Sequence, residues 1–103
     1  MTPRYVLLPE AEADLRAIIH YTRAEWGDAQ TRNYVAKLTR CIENIAGGGR
    51  TGKDLSDIHP GLRVVHCQHH YIFCLPRENA AALVVAILHE RMDLMTRLAD
   101  RLN

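Results

Sequence analysis

Lysine is scarce in this chain of 103 residues, which has only Lys37 and Lys53, and thirteen basic side chains against twelve acidic ones leave a net charge of +1. Tight binding to nucleic acid through many phosphates needs a stronger positive field, so direct sequence-specific nucleic-acid binding is not expected. No apolar run approaches the ~20 residues of a membrane span, and Met1 to Glu10 lacks the basic start and long apolar stretch of a signal peptide. A cytoplasmic protein without membrane contact is expected. The three cysteines, an odd number set in apolar stretches, build no disulfide framework, and a reducing compartment keeps them as thiols. No Cys-x-x-Cys pair and no helical His-x-x-x-His occurs, and on an extended strand His66 and His70 stand roughly 13 Å apart, too far to share an ion. Neither a metal nor another cofactor is expected.

A core, by contrast, is well supplied: 48% of the residues are hydrophobic and 24% charged, enough for one domain over residues 1–103. Arg4 to Leu8 reads as a strand stopped by Pro9. From Glu10 to Glu25, Ala11, Leu15, Ile18, Ile19 and Trp26 recur at helical steps, and Glu10, Glu12 and Asp14 load the helix start. Gly27 ends that helix, and Asp28 is placed to cap a second one carrying Tyr34, Val35, Leu38, Cys41, Ile42 and Ile45, closed by Gly47, Gly48 and Gly49. So short a turn makes the two helices antiparallel neighbours. Arg50 to Pro60 reads as a polar loop. Leu62–Cys67, His70–Leu75 and Leu83–Leu88 read as a meander with a turn at Pro76 to Asn79, and the doubly apolar Leu83–Leu88 as its central strand. Asp93 is placed to cap a last helix with Leu94, Met95, Leu98 and Leu102. The expectation is an α+β fold: an N-terminal strand and a helical hairpin packed on a mostly antiparallel sheet, with a short C-terminal helix.

Three segments, YVLLPEAEADLRAIIHYTRAEWG, DIHPGLRVVHCQHHYIFC and VVAILHERMDL, are spread over nearly the whole chain, from residue 5 to residue 94. In this order they resemble ParE toxins of the RelE/ParE superfamily. The resemblance implies the toxin of a bacterial type II toxin-antitoxin pair, held in a hetero-oligomer by a ParD-like antitoxin, with DNA gyrase as target. RelE-like relatives instead cut mRNA on the ribosome, and a toxin fold retained only as an inactive binding partner is a third reading.

Cleavage of RNA needs a base, an acid and a fixed cation on one surface. Arg63, His66, His70, His89 and Arg91 are the residues able to fill those roles. The low lysine content and the absence of any aromatic residue after Phe73 depart from the cleaving relatives, so no catalytic residue is assigned. Target binding is assigned to Arg63, His89, Arg91, Met92 and Asp93, the last four lying where the most apolar strand meets the last helix. Asp93 also suits a helix cap. Antitoxin binding is assigned to Val65, Trp26 and Tyr71: Val65 shares a strand face with Arg63, left open if Leu62 and Val64 pack under the helices. Packing of the Trp26 ring over the hairpin turn is the competing structural role, and the favoured one.

Overall fold

The computed structural model describes residues 4–47 and 52–102. Its elements run β1 (Tyr5–Leu7), α1 (Pro9–Ala46), β2 (Lys53–Asp54), β3 (Arg63–Cys67), β4 (His70–Leu75), β5 (Ala82–His89) and α2 (Leu94–Leu102). Pro9 opens α1 with Glu10 and Glu12 in its first turn, a position where proline's missing amide costs nothing and carboxylates meet the positive end of the helix dipole. A straight helix of 38 residues would reach ~57 Å at ~1.5 Å per residue, beyond the longest molecular extent of 38 Å. Gly27 removes the conflict. Its φ of 85° and ψ of 174° are non-helical and split α1 into two arms. Both arms feed one core, Ala11 and Ile18 from the first and Leu38, Ile42 and Ile45 from the second, so the hairpin forms as expected. Asp28 does not take the capping role anticipated for it: the non-helical residue is Gly27, and the Asp28 carboxylate pairs with Arg23 at 3.0 Å. Gly47 follows the last helical residue, whereas Gly48 and Gly49 lie outside the described residues.

The sheet order is β1-β5-β4-β3-β2, with β1 parallel to β5 and every other pair antiparallel. The meander is as expected, but β2 was not. Lys53 and Asp54, read as loop, pair with Val64 and Arg63; two exposed polar residues give no alternation by which a strand is recognised. Arg50 and Thr51 lie outside the described residues. β5 is buried on both faces. Val84 and Ile87 join Ile72, Cys74 and Cys67 beneath the hairpin, while Val85, Ala86 and Leu88 join Leu62 and Phe73 beneath Leu98 of α2. Phe73 pairs with Ala86 but Cys74 with Val84, which leaves Val85 as the extra residue of a bulge.

Two expectations are corrected here. Leu62 and Val64 pack on the α2 side, so Arg63 and Val65 face the hairpin rather than an open face. Val65 is half-buried against the hairpin core, and Arg63, opposite Cys74, donates to the Gly52 carbonyl at 2.8 Å. The cysteines are not all thiols: Cys41 and Cys67 form a disulfide between the second arm and β3, with Cα atoms 6.4 Å apart. Their 26-residue separation hid the pairing, because only the return of β3 beneath the hairpin brings them together. Cys74 is free and buried, as a small hydrophobe would be.

Candidate functional site

The hairpin arms and the end of the sheet diverge to leave a cleft of about 620 Å³. Asp14, Ala17, Ile18 and Tyr21 line it from the first arm, Gln30, Tyr34 and Lys37 from the second, and His69, His70, Ile87 and His89 from the sheet. The spacing of these arm residues is that of one helix face. Trp26, exposed by 68%, also lines the cleft, together with Arg91 and Met92. The ring of Trp26 therefore does not pack over the hairpin turn, the role favoured for it from the sequence. Tyr21, Trp26 and Met92 are all large apolar side chains left in water, and their gathering in one concavity has the character of a contact surface.

A hydrogen-bonded histidine cluster forms one wall. The Tyr34 hydroxyl accepts the His69 amide at 3.1 Å and meets Nδ1 of His70 at 2.6 Å. Donation by the phenol leaves the proton of the neutral His70 ring on Nε2. Burial, reinforced by the neighbouring His89 and His69, pushes the His70 pKa down to about 4, and burial also raises that of Tyr34. At neutral pH this pair is therefore an uncharged phenol on an uncharged imidazole. Glu90 Oε1 lies 3.1 Å from His66 Nε2 and 3.5 Å from His69 Nδ1, and the His66 hydrogen bond holds the Glu90 carboxyl below the usual carboxylate range.

Each imidazole considered as an acid or base thus has a structural engagement. His70 is buried with Nδ1 occupied, His89 Nδ1 accepts the Arg91 amide at 3.1 Å, and His66 is bound to Glu90 and stacked on Tyr71 at 4.5 Å. Arg63 lies three residues along β3 from His66, roughly 10 Å away, and on the opposite face. Of the residues able to fill the cleavage roles, His70, His89 and Arg91 line the cleft, whereas Arg63 and His66 are not among its lining residues.

Of the residues expected from the sequence to contact a target, His89, Arg91 and Met92 meet at the cleft, and Asp93 adjoins them as the expected cap, its carboxylate accepting the Thr96 hydroxyl at 2.8 Å and amide at 3.4 Å. Arg63 stands apart. The three residues expected from the sequence to contact an antitoxin are separated too: Trp26 is in the cleft, Val65 packs against the hairpin core and Tyr71 against the α2 cluster. Sequence reasoning passed over Tyr34, the hub of the histidine wall, and Asp14, at the base of the cleft. Asp14 did leave a signal, a carboxylate three residues after Ala11 and four before Ile18 on the apolar stripe.

A family model described as the ParE toxin of the type II toxin-antitoxin system parDE matches residues 5–94. The chain is 64% identical over 99 residues to Toxin ParE of Escherichia coli, covering 96% of each chain. It is 34% identical over 93 residues to Toxin ParE1 of Mycobacterium tuberculosis, covering 90% of this chain and 95% of that one. A solved structure of the chromosomal ParDE system of P. aeruginosa has the same fold, with a TM-score of 0.64 over 81% of this chain and 90% of that chain, at 15% identity.

Proposed function

This chain belongs to the ParE toxin family of type II toxin-antitoxin systems, and from that premise we propose that it acts by binding, without turnover chemistry, on DNA gyrase and is neutralised by a ParD-like antitoxin. The observation that carries the binding mode is the cleft: exposed Tyr21, Trp26 and Met92 around a wall whose imidazoles are occupied by structural hydrogen bonds. Such a surface gains free energy by being covered, and an antitoxin segment that buries these side chains would stabilise the fold by mass action. The solved ParDE neighbour supports an antitoxin as the partner, and the family resemblance supplies gyrase as the target. His89, Arg91, Met92 and Asp93 form the proposed target-contacting edge, with Arg63 as a separate contact at the far end of β3. Val65 and Tyr71, half-buried on opposite faces, would reach the antitoxin only at their margins, so Trp26 is the principal antitoxin contact.

The purified chain is tested for inhibition of gyrase supercoiling beside primer extension on mRNA in a cell-free translation extract. Inhibited supercoiling with intact mRNA, relieved by the antitoxin, is the expected result. Cleaved mRNA with untouched gyrase would replace this reading with a ribosome-dependent endonuclease, and no effect in either assay would leave an inactive binding partner.

A further inference from the structure

The second arm of α1 is fastened to the turn between β3 and β4 by two kinds of tie, the first inside the cleft lining and the second next to it in sequence. One is the Tyr34 hydroxyl on the His69 amide and the His70 ring. The other is covalent, the Cys41–Cys67 disulfide one residue before the Gln68–His69 turn. Lys37, a lining residue of the cleft, lies on the same stretch of helix, and its carbonyl is 3.6 Å from the Cys67 sulfur. The disulfide thus joins the stretch of helix that carries Lys37 to the strand end that leads into Gln68 and His69, and all three of these residues line the cleft.

The two sulfurs differ in burial. Cys67 is 2% exposed, whereas Cys41 is only partly buried, packed against the margin of the hairpin core, and is the more accessible of the two. A soluble thiol therefore reaches Cys41 first, and the sulfur displaced is the one inside the protein.

We propose that the Cys41–Cys67 disulfide is a reversible clasp, opened by small thiols of the glutathione class, that sets how closely the second hairpin arm is held to the histidine turn and hence the width of the cleft. In the opening step the thiolate of the small molecule attacks Sγ of Cys41. A new S–S bond forms there as the Cys41–Cys67 bond breaks, and the electron pair leaves on Cys67 Sγ, which takes up a proton. A second thiolate attacks the small-molecule sulfur of this mixed disulfide and releases Cys41, which is protonated in turn. The protein disulfide gains two electrons, and two small thiols leave as one disulfide. Closing is the reverse, with the small-molecule disulfide as oxidant. Cys74 stands outside this exchange, because it is fully buried and its thiol, pushed up to about 11 by burial, stays protonated.

Opening removes the covalent tie and leaves the Tyr34 hydrogen bonds to hold the wall, so the change is local to residues 34–41 and 67–70. The consequence for partner binding rests on the cleft being the antitoxin seat; the change in the cleft does not.

The intact chain is equilibrated with glutathione and glutathione disulfide at graded ratios, alkylated after unfolding, and weighed. Amide hydrogen exchange of residues 34–41 and 67–70 is followed in parallel. The oxidised chain should take one alkyl group and the reduced chain three, in a reversible transition, since the sequence holds three cysteines. Exchange in the two segments should rise at least about tenfold on reduction while β5 stays protected. Cys41→Ser should show the reduced exchange pattern at every ratio, and Cys74→Ser should respond as the parent does. Absence of the singly alkylated species at all ratios, or equal exchange in the oxidised and reduced parent chain, would overturn the proposal without recourse to any variant.

Discussion

Asp14 and Arg101, 87 residues apart, meet in a bidentate ion pair with N–O distances of 2.7 and 2.9 Å. The pair finishes the edge of β5. β1 ends at Leu7 opposite Val84, and beyond that point, among the described residues, β5 has no strand on this side. The Asp14 carboxylate accepts the Ile87 amide at 2.9 Å, and the Arg101 guanidinium donates to the Val85 carbonyl at 3.3 Å. Two side chains thereby take the place of the next residues of β1 and tie α2 to the first arm.

Both side chains are mostly buried, at 15% and 17% exposure; losing Arg101 leaves the Asp14 carboxylate with the Ile87 amide alone, whereas losing Asp14 leaves Arg101 its second carboxylate, Glu10 at 2.6 Å. Arg101→Met should destabilise the fold by about 2–4 kcal/mol, and Asp14→Asn by less, since an amide oxygen still accepts from Ile87. Urea denaturation of both variants and of the double variant should give a coupling energy above ~1 kcal/mol; additive effects would show that the pair is not a unit.

His70 makes stability depend on pH. Its folded pKa of about 4 lies below the ordinary histidine value of 6.5, so between these values the unfolded chain binds a proton that the folded chain does not. Stability from this residue is present above pH 6.5 and falls as the pH drops, by up to ~3 kcal/mol at about 1.4 kcal/mol per pH unit. His70→Gln, which keeps an acceptor for Tyr34, should flatten this part of the profile. Parallel slopes for parent and variant between pH 4 and 6.5 would refute the assignment.

At Gly27, φ 85° and ψ 174° fall in a region that essentially only glycine occupies, although an added Cβ would meet nothing within 4 Å. Gly27→Ala should cost about 1–3 kcal/mol from backbone strain alone. Gly27→Asn should not rescue it, since asparagine tolerates the left-handed helical region but not this one. A rescue in thermal melts would mean that the turn relaxes to a different geometry.

The parts of the fold set by repeated local patterns were readable in advance. Ala11, Ile18, Leu38 and Ile42 mark the hairpin by their spacing, Gly27 marks its break, and Val84 to Leu88 announce a strand covered twice. What escaped depended on tertiary position. Lys53 and Asp54 are a strand only because β3 has an open edge beside them. The Cys41–Cys67 bond and the Asp14–Arg101 pair join residues whose proximity no local window contains. The orientation of Arg63 and Val65 failed for a related reason: the alternation of β3 was read correctly, but both faces of the sheet are covered, and the face given to the hairpin was the wrong one. At the site, Trp26 was recognised but expected to pack at the turn, and the histidines stood out before Tyr34, which organises them.

The parallel pairing of Tyr5 with Ala82 also sets a timetable for biosynthesis. At ~5–20 residues per second, a ribosome takes roughly 4–15 s to travel from the codon for the first of these residues to that for the second. Throughout that interval β1 lacks the strand it pairs with in the finished fold. His89, Arg91 and Met92 are made later still, so an interrupted translation product that stops before them lacks part of the cleft lining.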